Sequence, residues 1–237
     1  MSRLLVGLPN LVGKLDNYAK RYDLLEVNPD DPGLASGKKL AAWRERCRRA
    51  AFTVVLPRAV AKLAPGKELE AGLSTALEIA TVLRARAILL STSAEVRPTA
   101  RNKQRIVELF QRLPEGHHLF WEAHGIWEPA EHLGTAVEAG AVAVFDAAQA
   151  PLAPGPVVYS RIRALGHAAQ LGSERILHIA EQLRGRREAY LVVDPSIAGK
   201  VRSGVAAALE RDPERRHVPQ LFKPELDLSG SFDDEEQ

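Results

Sequence analysis

The residues of this chain that could do chemistry sit at the ends of short apolar runs. Glu26, Asn28, Arg58, Glu122, His124, Asp146, Arg161, Arg163 and Asp194 all lie at or just past the end of a β-type stretch. Side chains two apart on a strand share a face. Glu26 therefore points with Asn28, Glu122 with His124, and Tyr159 with Arg161 and Arg163. A pair of guanidinium groups suits a phosphate or a carboxylate. Arg161 and Arg163, with Glu26, Asn28 and Asp194, are thus candidate ligand-binding residues for an anionic or phosphate-bearing small molecule. Glu122, His124 and Asp146 are the candidate catalytic groups, with Glu122 and His124 placed to act as base and acid. The alternative is that these charges pair with one another and only close one end of the fold. Arg161 separates the two readings. At a working site it faces water and an anion; at a closed end Glu122 or Asp146 neutralises it.

Metal is a weaker reading. Glu122, His124 and Asp146 could supply three ligands from adjacent strands. The other histidines fall away from strand ends, and His132 and His178 are expected at the surface or boundary of helices. No metal site is assigned, and no cofactor is identified.

The elements that position these residues follow from periodicity. Apolar runs recur at Leu4–Leu8, Leu24–Val27, Phe52–Leu56, Ala87–Leu90, His118–Trp121, Val142–Phe145, Val157–Tyr159 and Ala189–Val193. They alternate little, as strands covered on both faces do. Between them lie stripes at helical spacing, clearest at Leu69, Leu73, Ala76, Leu77, Ala80 and Leu83. A further stripe is Ala130, Leu133 and Val137. Ser173 reads as an N-cap, Gly185 as a C-terminal stop, and Asp212-Pro213 as the end of the last helix. Strand and helix alternating about eight times predict an α/β fold, a (β/α)8 TIM-type barrel, whose ligand sites lie at the strand C-terminal ends. One unit is defective. Between Phe145 and Val157 stand three prolines, Pro151, Pro154 and Pro156. The sixth helix, the one due after the sixth strand, is therefore expected to be missing and the barrel irregular there. Residues 1–211 form the barrel domain. Residues 212–237 are expected to be a polar C-terminal extension, partly disordered.

Composition excludes several classes. The formal net charge is +2, from 32 basic and 30 acidic residues, and only 5% of residues are aromatic. That gives no basic, ring-lined groove for nucleic acid, so binding to it is not expected. Cys47 is the single cysteine, which excludes an internal disulfide and fits a cytoplasmic protein. No run is long and apolar enough to span a membrane. A protein partner remains open.

The order of motifs resembles the domain of unknown function 72, or YecE-like, family over roughly residues 1–210. Tyr22-Asp23-Leu24-Leu25-Glu26-Val27-Asn28 is similar to its second strand, which ends Glu-Val-Asn. Phe52-Thr53-Val54-Val55-Leu56-Pro57 is similar to its third. Glu122 with Trp127 (one residue closer than in the family), Asp146, and Tyr159-Ser160-Arg161-Ile162-Arg163 resemble its fifth, sixth and seventh strand ends in order. The chain departs at Pro29-Asp30-Asp31-Pro32, at Ser91-Thr92-Ser93, at His124 and at Val193-Asp194-Pro195. The resemblance implies a barrel fold without a settled reaction. The departures keep alive the second functional reading, a non-catalytic interaction protein with a decayed site.

Overall fold

The computed structural model describes residues 3–34, 37–164 and 171–211. The chain opens with β1 (Arg3–Leu8), α1 (Leu15–Ala19), β2 (Leu24–Val27), α2 (Gly37–Arg46) and β3 (Ala51–Val55). It continues through α3 (Arg58–Ala61), α4 (Lys67–Leu83), β4 (Ala87–Ser91), α5 (Ala100–Gln111) and β5 (His118–Glu122). It ends with α6 (Pro129–Glu138), β6 (Val142–Ala143), β7 (Val157–Ile162), α7 (Ser173–Leu183), β8 (Glu188–Val193) and α8 (Ala198–Glu210). All recorded strand pairs are parallel, in the order β6-β5-β4-β3-β2-β1-β8-β7. The result is a nearly closed (β/α) barrel.

Alternation along each strand builds two layers. Leu5, Leu24, Ala51, Val55, Leu89, Phe120, Tyr159 and Tyr190 belong to one cluster, the barrel interior. Val6, Leu25, Phe52, Val54, Ile88, Leu90 and Trp121 point the other way and pack under the helices. The interior is filled by rings. Phe120 lies 4.6 Å from Tyr159, and Tyr159 stacks on Tyr190 at 5.6 Å. β1 and β2 run close together because Gly7 has no side chain; a Cβ there would come 1.9 Å from the Leu24 carbonyl oxygen. α1 braces the same pair: the Leu8 amide donates to the Tyr18 hydroxyl, which donates to the Leu24 carbonyl.

The prolines between β6 and β7 act as expected. No helix forms there, and β6 and β7 are the two edges of the sheet. β6 itself is two residues long, shorter than the predicted Val142–Phe145 run. The linker is tied instead by side chains. The Ala147 amide donates to Ser160 Oγ (2.9 Å), and Gln182 of α7 bonds the Leu152 amide (2.7 Å) and the Ala147 carbonyl (3.0 Å).

Two local readings need correction, and one element was not foreseen. α6 buries His132, Thr135 and Ala136, while Ala130 and Val137 of the predicted stripe face solvent. Gly172, not Ser173, is the N-cap of α7. A short helix, α3, follows β3 before α4. Gly185 does lie just past α7 with a positive φ of 74°, as a C-terminal stop requires. The extension 212–237, and Asp212-Pro213 as the stop of α8, lie outside the described residues. Among the described residues no helix is long and apolar enough to cross a membrane.

Candidate functional site

Arg161 stands near the C-terminal end of β7, in register with Val192 of β8. Its side chain is 16% exposed, so its positive charge must be paired. Nε and Nη2 donate to the two oxygens of Glu26 (2.8 and 2.6 Å), a bidentate fork. Nη1 donates to Glu122 Oε2 (2.8 Å). Tyr159, two residues earlier on the same face, donates its hydroxyl to Glu26 Oε1 (2.6 Å). Every guanidinium nitrogen of Arg161 therefore has a partner. The partners are Glu26 and Glu122, not Asp146.

Glu122 closes the network at the end of β5. Ser91 donates to its Oε2 (2.7 Å), and His124 Nε2 lies 3.2 Å from the same oxygen. Arg163 Nη2 donates to its Oε1. Burial alone would raise the Glu122 pKa. The His124 hydrogen bond, both arginines and Ser91 outweigh burial and bring it down to about 2. A carboxylate held so far down is a weak proton acceptor. Its part is to orient His124 and the arginines. The same neighbours act on Arg161: burial disfavours its charge, but Glu26 and Glu122 more than compensate and raise its pKa.

Three sequence candidates are held by nearby turns, and Asp146 also by the end of β7. Asn28 Oδ1 accepts from the Asp30 amide, and Asp194 Oδ1 from the Ser196 amide and hydroxyl. Asp146 accepts from the Ala148 amide, the Gln149 side chain and the Arg163 amide. Burial still pushes the Asp146 carboxyl pKa up. Arg58 opens α3 and is exposed, outside the network.

Two hollows adjoin at the mouth. The first, about 210 Å³, is lined by Glu26, Asn28, Asp194 and both arginines. The second, about 270 Å³, is lined by Glu122, His124, Asp146 and the same two arginines. The eight predicted site residues thus line two hollows at one barrel end, with Arg161 and Arg163 lining both. Glu122, His124 and Asp146 do not form a metal set: among the described residues, no group of three or more His, Cys, Asp or Glu side chains could hold a metal ion. Two participants were not picked out from the sequence. Ser91 is a short hydroxyl with no signal beyond its place at the end of β4. His132, expected near the surface, is 3% exposed and lines the second hollow.

Neither a family model nor a curated protein sequence matches the chain. Solved structures do. A DUF72 family protein from Enterococcus faecalis superposes with a TM-score of 0.69 at 15% identity, over 88% of this chain and 96% of that one. Another from Thermotoga maritima gives 0.62 at 17% identity, over 87% and 97%. The chain has the fold of the DUF72 proteins. A D-psicose 3-epimerase is similar at a TM-score of 0.57 and 15% identity, over 90% and 91%.

The opposite end of this DUF72-type barrel holds a second charged cluster that reading only the strand C-terminal ends overlooks. Glu188 begins β8 and is 5% exposed. Arg86 and His118 approach it at 3.1 and 3.3 Å, and Arg3 at 3.8 Å. Each of the four residues stands at or next to a strand start, and that shared position is the signal in the sequence.

Proposed function

We propose that this chain binds a small anionic molecule, a carboxylate or a phosphate, at the C-terminal mouth of the barrel, with Arg163 as its principal contact and His124 beside it. One observation carries the reading. Each guanidinium nitrogen of Arg161 has a carboxylate partner, whereas Arg163 is 42% exposed, lines both hollows, and has no partner among the described residues for Nε or Nη1. Free guanidinium donors beside water suit an oxyanion. The Arg161–Glu26–Glu122 network is then the platform that holds the mouth in shape, and Asp146 and His124 are the groups available for proton transfer. The D-psicose 3-epimerase of the same fold is known in a structure with D-fructose, which accords with a small-molecule site.

The second reading, a non-catalytic protein whose barrel end is merely closed, is favoured by the pairing of Arg161 with Glu26 and Glu122. Thermal melts separate the two. Phosphate at 100 times its dissociation constant should stabilise the native chain by about 2.7 kcal/mol, and Arg163→Ala should abolish that shift. A native protein indifferent to phosphate and to simple carboxylates, or a variant that responds equally, decides for the closed barrel end.

A further inference from the structure

The second hollow has a wall of rings. Trp127, His132 and Phe145 line it, and each is fixed by contacts of its own. Trp127 donates its indole N–H to the Val96 carbonyl (2.7 Å) and meets Trp121 edge-on, with centroids 4.9 Å apart. His132 Nε2 lies 2.9 Å from the Trp121 carbonyl oxygen. Its ring packs edge-on against Trp121 at 4.7 Å and lies 4.9 Å from Phe145. Burial pushes the His132 pKa down, which favours the uncharged ring. Phosphate alone has no use for such a wall.

The geometry points to a ring subsite: the ligand carries one planar ring, seated against Trp127 and Phe145, and its carboxylate or phosphate reaches Arg163. This rests on the anion-binding reading above. The size fits. An apolar cavity of about 150 Å³ holds benzene, and a hollow of about 270 Å³ leaves room for one anionic group beside the ring. Rings held at fixed angles offer stacked and edge-to-face contacts without losing side-chain freedom on binding.

Inorganic phosphate and phenyl phosphate test the idea on the full chain by calorimetry at one pH and ionic strength, with tryptophan emission recorded alongside. Phenyl phosphate should bind about tenfold more tightly than phosphate and should change the emission where phosphate does not. In Phe145→Ala the affinity ratio between the two ligands should fall towards one. If phosphate binds and phenyl phosphate binds no better, or if Phe145→Ala keeps the full ratio, the ring subsite is wrong and the anion site stands. If neither ligand binds, both readings fall.

Discussion

Arg161 holds two buried carboxylates at once, and this sets what its loss would do. Glu26 is 2% exposed and Glu122 is 7% exposed. Among the described residues, Arg161→Ala would leave Glu26 with only the Tyr159 hydroxyl and Glu122 with Arg163, His124 and Ser91. Breaking a buried pair from one side costs about 3–5 kcal/mol, and urea unfolding should show a loss of that size. A loss under about 1 kcal/mol would mean that water already solvates the guanidinium. Glu122 gives a pH signature. Its folded pKa, about 2, lies below the unfolded value of about 4.3. It therefore stabilises the fold above the unfolded value, and that contribution is lost as pH falls from about 5 towards 2. Glu122→Gln should flatten this part of the stability-against-pH curve and lower stability at pH 7. An unchanged acid limb would show that the network does not hold Glu122 ionised. The partners themselves were only half legible. Alternation on β7 puts Tyr159, Arg161 and Arg163 on one face, but which carboxylate meets Arg161 depends on strand register across the barrel, which no local pattern encodes.

At the scale of elements, legibility follows the way surface is buried. The strands stand out because both faces are covered, one by the barrel interior and one by helices, so nearly every residue is apolar. α4 is equally plain. α6 misleads because two of its three buried side chains are polar. His132 hydrogen-bonds the Trp121 carbonyl, and Thr135 is 4% exposed, so a count of apolar residues selects the wrong face. α3 escapes because four residues carry too little periodicity to register. The absent helix after β6 is readable from its prolines, but its replacement is not: Ser160 and Gln182 satisfy backbone groups that a helix would have satisfied internally. Ser160 is fully buried. Ser160→Ala should leave the Ala147 amide without a partner and cost about 1–3 kcal/mol. Hydrogen exchange provides the local check, with the Ala147 amide losing protection before the β1–β8 ladder does. Protection at Ala147 equal to that of the native chain would show that this tie is dispensable.

The whole molecule is an apolar barrel stopped at each end by charge, and the two stoppers are built oppositely. At the C-terminal mouth a buried cation sits between two buried anions. At the base, one buried anion, Glu188, faces two arginines and an imidazole that are each partly in water: Arg3 at 45%, Arg86 at 42% and His118 at 32% exposure. Between them lie Tyr190, Phe120 and Tyr159, and burial together with the nearby Glu188 pushes the Tyr190 pKa up to about 12. The asymmetry predicts unequal responses to the loss of a charge. Glu188→Gln removes the desolvated charge and leaves two arginines that water can reclaim, so it should cost no more than about 1 kcal/mol. Arg161→Ala leaves desolvated anions behind and should cost several times as much. Salt sharpens the contrast. The half-exposed arginines at the base are open to screening, whereas the mouth network is shielded. Raising the salt concentration from low to molar should therefore shrink the effect of Glu188→Gln and leave that of Arg161→Ala nearly unchanged. Paired urea titrations of the two variants at both salt concentrations test this directly. Equal costs with equal salt sensitivity would mean that the two ends are electrostatically alike, and that the mouth is no more desolvated than the base.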